Sequence, residues 1–175
     1  LPQTFTIMDT QDQVSLIKRI LKAHNIDDEK YPPKQMAWFI GSAKEEGLRP
    51  NAVEAFDDYT RKQVEIYQLY EATCQREGVV DFAELLLRSY EVLGKFEALR
   101  EHYNARFKHI LVDEFQDTNT LQYKWLRLLA GPQTAVLAVL HGETTPSEPD
   151  GTPFYVSALD IRNGIGQLSP ILGPD

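Results

Sequence analysis

From residue 10 onward, apolar positions recur with the period of a helix. Val14, Leu16, Ile17, Ile20 and Leu21 fall on one face behind Thr10 and Gln13, which have capping-box spacing. Pro32-Pro33 interrupts the chain and opens a second helix carrying Met36, Trp38, Phe39 and Ile40, closed by Gly47 and Pro50. A long helix is predicted from about Asn51 to Glu77. Its apolar residues Val53, Phe56, Val64, Ile66, Tyr67 and Tyr70 are set among many charges, and Gly78 ends it. Asp81 is an N-cap for the next helix, with Glu84 three residues on and Phe82, Leu85, Leu86 and Tyr90 as the buried side. A shorter helix is predicted around Phe96 to Tyr103.

The period then changes. Ile110-Leu111-Val112 is a short apolar run ending in acids and reads as a buried strand. Asn119 to Leu129 returns to a helix, with Thr118 as its expected cap, and Ala135 to Leu140 is a second run of strand length. Strand, helix and strand at this spacing predict one βαβ unit with parallel strands. The fold class is therefore mainly α with a small α/β part. Near residue 140 the composition shifts. Residues 140–175 hold five of the ten Gly, five of the ten Pro, five acids, one Arg and no Lys. Gly142 to Gly151 reads as loop or disorder, Phe154-Tyr155-Val156 as a strand-like stretch, and Gly164 to Asp175 as turn-rich.

The bulk numbers add limits. The chain has 175 residues, 42% hydrophobic and 25% charged, enough for an ordinary globular core. No apolar run approaches the roughly 20 residues that span a bilayer, and the N-terminus does not read as a signal peptide. The formal net charge of −8 argues against a free-standing basic nucleic-acid binder, though not against one local DNA-contacting surface. A single cysteine, Cys74, excludes an internal disulfide and reads as a helix-face packing residue. His24, His102, His109 and His141 show no metal-ligand spacing, and Ser42 and Ser89 have no His-Asp partners for nucleophilic work. Trp38 and Trp125 sit at helical spacing among apolar residues, as core residues do.

The segment that carries chemistry is Ile110 to Asn119. Acids at the C-terminal end of a buried parallel strand lie where α/β sheets bind ligands. Mg²⁺ takes carboxylates, waters and phosphate oxygens. An Asp there can hold the ion against the phosphates, and an adjacent Glu can polarise a water as general base. Gln116 can sense the γ-phosphate or relay its loss. A bare apolar-apolar-Asp-Glu pattern also fits an acidic turn at a helix start. The string Gln116-Asp117-Thr118-Asn119 makes this pattern more specific.

Asp113-Glu114-Phe115-Gln116-Asp117-Thr118-Asn119 resembles motif II, the Walker B box, of superfamily 1A DNA helicases of the UvrD/PcrA/Rep type. Thr6 to Gln13, Lys44-Glu45-Glu46-Gly47-Leu48-Arg49-Pro50 and Val80-Asp81-Phe82-Ala83-Glu84-Leu85-Leu86 resemble the helical 1B subdomain of that family, and the resemblance covers about residues 1–139. It implies a 1B-like helical subdomain at 1–105, a partial ATPase core at 106–139 that begins a parallel P-loop NTPase sheet, and an atypical tail at 140–175. It also implies an ATP-dependent helicase moving 3′ to 5′ on single-stranded or junction DNA in repair or replication, in the bacterial cytoplasm, with Mg²⁺ and ATP as cofactors. Asp113 would be the metal-associated acid, Glu114 the residue activating water, and Gln116 a further catalytic residue. Asp113, Glu114, Gln116 and Asp117 together would face the nucleotide. Lys34, Lys44, Arg49, Arg61 and Lys62, taken as exposed, are candidate DNA contacts; a solvated helix face explains them equally.

Two features depart from the family pattern. No Gly-x-x-x-x-Gly-Lys-Ser/Thr loop occurs, so nothing in the sequence cradles phosphates, and the expectation is a truncated piece of a longer motor. After Val139 the chain reads Leu140-His141-Gly142-Glu143 where the family carries an acidic motif III, and residues 140–175 are expected to be frameshifted or rearranged sequence. Three readings stay open: a helicase fragment inactive alone, a non-catalytic helical module that binds DNA or protein, and a nonfunctional remnant with an exposed sheet edge.

Overall fold

The computed structural model describes residues 4–140 and 154–156; the expectations for 141–153 and 157–175 lie outside the described residues. The chain is mostly helical and divides into two compact units, Leu1–Ser89 and Tyr90–Asp175.

The first unit holds β1 (Thr6–Ile7), α1 (Thr10–Ala23), α2 (Pro33–Glu45), a 3-10 turn at Pro50–Ala52, α3 (Asp58–Glu77), β2 (Val79–Val80) and the start of α4 (Phe82–Lys95). Its core is the apolar stripe of each helix: Leu16, Ile17, Ile20 and Leu21 from α1, Met36, Ala37, Ile40 and Ala43 from α2, and Ile66, Tyr67, Tyr70 and Cys74 from α3. Ile17, Leu21, Met36, Ile40 and Ile66 are fully buried. Burial of each such side chain stabilises by roughly 1.5–3 kcal/mol.

Several local expectations are corrected here. Asp9, not Thr10, caps α1: its carboxylate accepts the Asp12 N–H at 2.8 Å, which leaves Thr10 as the first helical residue. The third helix starts at Asp58, not Asn51, because Asp57 accepts the Thr60 N–H at 2.8 Å and fixes the start there. Phe56 therefore stands outside the helix and is 86% exposed. Trp38, expected in the core, is 74% exposed, because the buried stripe of α2 runs through 36, 37, 40, 43 and 44 and leaves position 38 facing outward. Gly78 ends α3 as expected, with φ 69°, a left-handed conformation that costs glycine little. The parallel pair β1–β2, in register Thr6↔Val79 and Ile7↔Val80, was not expected; two residues per strand are too few for a readable period.

Asp81 caps α4 as predicted, accepting the Glu84 N–H at 2.7 Å. The predicted buried side of α4 is wrong at Phe82, which is exposed. The buried stripe runs instead through Asp81, Glu84 and Leu87, at i, i+3 spacing, so position 82 turns away.

The second unit continues with α5 (Glu97–Arg106), β3 (His109–Val112), α6 (Thr120–Leu129), β4 (Ala135–Leu140) and β5 (Phe154–Val156). β3 and β4 are parallel, in register from His109↔Ala135 to Val112↔Ala138, with α6 between them in sequence. This is the predicted βαβ unit. The strand-like stretch at 154–156 pairs antiparallel with β4. Asn119, not Thr118, caps α6 in a full capping box. Its side chain accepts the Gln122 N–H, and the Gln122 side chain accepts the Asn119 N–H, both at 2.9 Å. Gly131 follows α6 where a Cβ would lie 2.7 Å from the Asn104 Cβ, so α5 packs against a position only glycine fits.

β3 is not a buried strand. Leu111 is 69% exposed and its register partner Leu137 is 41% exposed, while Ile110, Val112, Val136 and Ala138 pack on the other face with Phe115 and Tyr123. Parallel strands normally have both faces covered. Among the described residues, this sheet is covered on one face only.

Candidate functional site

Asp113 follows directly on Val112, at the C-terminal end of β3. Glu114 then takes φ 50° and ψ 45°, the left-handed region that a residue with a Cβ enters at a cost of about 1–2 kcal/mol. Three contacts hold that turn. The Glu114 N–H donates to Asp113 Oδ1 at 3.0 Å, and the Asp117 N–H donates to the Glu114 carbonyl at 2.9 Å. Phe115, 7% exposed, anchors the segment against Val136 and Ala138. A 3-10 turn at Phe115–Asp117 then leads into the capping box of α6.

The result is one buried aromatic flanked by exposed polar side chains: Asp113, Glu114, Gln116 and Asp117 all face solvent. Gln116 Nε2 donates to Glu114 Oε2. Asp113 and Glu114 fit a Mg²⁺ ion in one respect: such ions are held by one or two carboxylates, with waters and substrate phosphates completing the shell. Among the described residues no group of three or more His, Cys, Asp or Glu could hold a metal without such help.

A second set of carboxylates lies in the first unit, and its environment is the opposite. The Lys44 ammonium is buried, 2% exposed, and lies 2.7 Å from Asp81 Oδ2 and 2.8 Å from Glu84 Oε2. Tyr70 O–H donates to the same Asp81 oxygen at 2.7 Å, and the Tyr70 ring lies 5.3 Å from the ammonium. Arg49 pairs with Glu71 and reaches both Glu84 oxygens, at 3.0 and 2.9 Å; Arg88 also pairs with Glu84. Burial alone would raise the Glu84 carboxyl, but Lys44, Arg49 and Arg88 outweigh it and hold the group below its ordinary 4.5. Burial pushes the Tyr70 and Tyr67 hydroxyls well above their ordinary range and the Cys74 thiol up to about 11. A cavity of about 160 Å³ lies beside this network, lined by Lys44, Glu71, Cys74, Asp81, Glu84 and Arg88 among others.

The candidate DNA contacts change accordingly. Lys44 is not exposed: it is the centre of the buried network, held there by two carboxylates. Arg49 is partly buried in the same network. Arg61 and Lys62 are on the surface, paired with Asp58 and Glu65 within α3. Lys34 is exposed at the start of α2, one turn before Trp38. Sequence reading missed Tyr70, Glu71 and Arg88 as network members. The available signal was the buried spacing of Asp81, Glu84 and Leu87, which puts two acids on a core-facing stripe that only buried cations could balance.

The family model for the UvrD/REP helicase N-terminal domain matches residues 1–140. The chain belongs to the UvrD/REP helicase family. It is 54% identical over 140 residues to DNA helicase II of Haemophilus influenzae, covering 79% of this chain and 19% of that protein. It is 48% identical over the same length, with the same coverage, to DNA helicase II of Escherichia coli. Against ATP-dependent DNA helicase PcrA of Staphylococcus epidermidis it is 34% identical over 130 residues, covering 73% of this chain and 18% of that protein. The chain therefore spans about a fifth of the length of these relatives. The family match ends at residue 140, where the composition shifts. Among the described residues, no helix is long and apolar enough to cross a membrane.

Proposed function

We propose that this chain supplies the Walker B part of an ATP-dependent DNA helicase, together with a helical subdomain that helps engage single-stranded or junction DNA. The observation that carries the reading is the placement of Asp113 and Glu114, exposed at the C-terminal end of a strand paired in parallel within a βαβ unit. That is where open α/β sheets receive nucleotides. In this reading Asp113 holds Mg²⁺ against the nucleotide, and Glu114 orients and deprotonates the attacking water. Gln116 and Asp117 link the site to its neighbours. When bound, Mg²⁺ would neutralise charge developing on the transferred phosphoryl group. The chain offers no phosphate-cradling Gly-Lys loop, so by itself it does not turn over ATP. Translocation from 3′ to 5′, a role in repair or replication, and cytoplasmic location in a bacterium belong to the same proposal.

The test is a chimaera in which residues 1–139 replace the matching segment of the Haemophilus DNA helicase II. DNA-stimulated ATP turnover is expected, reduced roughly 10²- to 10⁴-fold by Glu114→Gln with Mg-ATP binding retained. Equal turnover with and without Glu114 would contradict the assignment. So would DNA-stimulated turnover by the 175-residue chain alone that Glu114→Gln abolishes, because the chain is proposed to be inactive without its parent.

A second reading, a non-catalytic module, draws on one observation: Trp38 is 74% exposed, with Lys34 one turn before it on α2. An exposed indole beside a cation suits base stacking on single-stranded DNA. Salt-sensitive binding of the chain to single-stranded DNA, weakened by Trp38→Ala, would favour it; binding unchanged by that substitution would count against it. We also propose that residues 140–175 are not native helicase sequence; an encoding DNA with no alternative frame resembling motif III after Val139 would refute the frameshift origin.

A further inference from the structure

We propose that the cavity beside the Lys44 network is a binding site for a short aliphatic carboxylate. The proposal concerns the first unit alone and is independent of the nucleotide-site reading. The cavity has a volume of about 160 Å³, and its lining has three parts. Cys74, Val79 and Val80 give it an apolar wall. Lys44, Asp81 and Glu84 bring the buried network to its side. Gln75, in the last turn of α3, and Arg88, one turn after Glu84 on α4, supply polar groups with donors to spare.

Arg88 decides the chemistry of the ligand. Its Nε donates to Glu84, which fixes the plane of the guanidinium. Among the described residues, its two terminal nitrogens donate to nothing, and the Gln75 amide makes no hydrogen bond. A guanidinium held through Nε still offers two parallel N–H groups at its far edge, and the planar anion that matches them is a carboxylate. Charge selects against a larger anion. Lys44, Arg49 and Arg88 pair with Glu71, Asp81 and Glu84, three cations against three acids, so no net positive charge waits for a doubly charged phosphate. The formal net charge of −8 likewise disfavours the approach of a polyanion. Volume sets the size. A cavity of about 150 Å³ takes benzene, so this one has room for roughly six heavy atoms, those of butyrate, with the alkyl tail against Val79 and Val80. Burial pushes the Cys74 thiol up to about 11, so it stays protonated and adds no charge to the wall. The same chemistry has two sources: a free short-chain acid, or a glutamate side chain on a partner peptide.

The test is a titration of sodium butyrate into the full 175-residue chain, labelled with ¹⁵N, with ionic strength held constant by NaCl. The Arg88 Nε–H and Gln75 side-chain amide signals are expected to shift and saturate. Butyrate is also expected to slow modification of Cys74, the single cysteine, by a thiol reagent. Arg88→Lys can still pair with Glu84 and keeps the charge but loses the fork, so butyrate should bind about tenfold more weakly or worse. Gln75→Ala should weaken it roughly two- to tenfold. Unchanged urea transitions show that both variants fold. A peptide with blocked termini and one central glutamate, set against its glutamine counterpart, separates the sources. Saturable shifts and Cys74 protection by the glutamate peptide alone of that pair assign the site to a partner's acidic side chain; a response to butyrate without one to the peptide assigns it to a free acid. Equal responses to phosphate and butyrate, an Arg88→Lys variant that binds as well as the unsubstituted chain, or no saturable response to either carboxylate would overturn the proposal.

Discussion

Two pairs of neighbouring acids in this chain look alike on paper and are built for opposite ends. Asp81 and Glu84 sit at the root of α4, buried, and are satisfied by Lys44, Arg49, Arg88 and Tyr70. Asp113 and Glu114 sit at the tip of β3, exposed, on a backbone turned into the left-handed region. The first pair has every oxygen committed to groups within the fold. The second lies at the surface, with Gln116 donating to Glu114. A buried ion network costs desolvation and repays it through geometry, so it reports on structure. Strain held in place at an exposed site more often marks function.

Breaking the first pair should cost the most stability. Lys44→Met removes the buried ammonium that pairs with both Asp81 and Glu84, and a loss of about 3–5 kcal/mol is expected from urea denaturation. Asp113→Asn, by the same measurement, should stay within about 0.5 kcal/mol. If the two substitutions cost the same, the contrast between the sites is lost.

Acid should weaken the buried network through Glu84. Glu84 is held below its ordinary 4.5 in the folded state, so its stabilisation is fully present above that value. It is lost as pH falls below 4.5 through the lower folded value. Glu84→Gln should lower stability at neutral pH and flatten the acid limb of a stability-versus-pH curve; an unchanged acid limb would contradict the network account.

A smaller effect, of opposite sign, is expected at the second pair. Glu114→Gly relieves the left-handed strain and should stabilise the chain by about 0.5–1 kcal/mol in thermal or urea unfolding, while ending any function that needs the carboxylate. Destabilisation by more than that would show that Glu114 belongs to the fold. The smallest change in folding free energy is expected on the bare face of the β3–β4 sheet. Leu137→Lys should lower self-association in sedimentation, with stability changed by no more than about 0.5 kcal/mol. Undiminished association would place the sticky surface elsewhere.

The sequence made the helices, the βαβ unit and the parallel strand pair readable, because long periodic segments and glycine stops such as Gly78 are local signals. It failed where position depends on partners far along the chain. Lys44 reads as a surface lysine unless Asp81 and Glu84, thirty-seven and forty residues later, are known to face it. Phe82 and Trp38 read as core because they are large and apolar, yet neighbours of better phase took the inward face. β3 reads as buried from its composition, but burial requires a covering layer, and among the described residues only one face has one. At the candidate site the residue types and their order were readable; the left-handed turn at Glu114 and the Gln116 tie were not, since neither has a signature in spacing.

The most direct test of the contrast between the two acid pairs is paramagnetic broadening by Mn²⁺ of amide signals in the full chain. The account predicts broadening confined to residues 113–117 and lost in Asp113→Asn. Broadening centred on Asp81 and Glu84, or insensitive to Asp113→Asn, would contradict it.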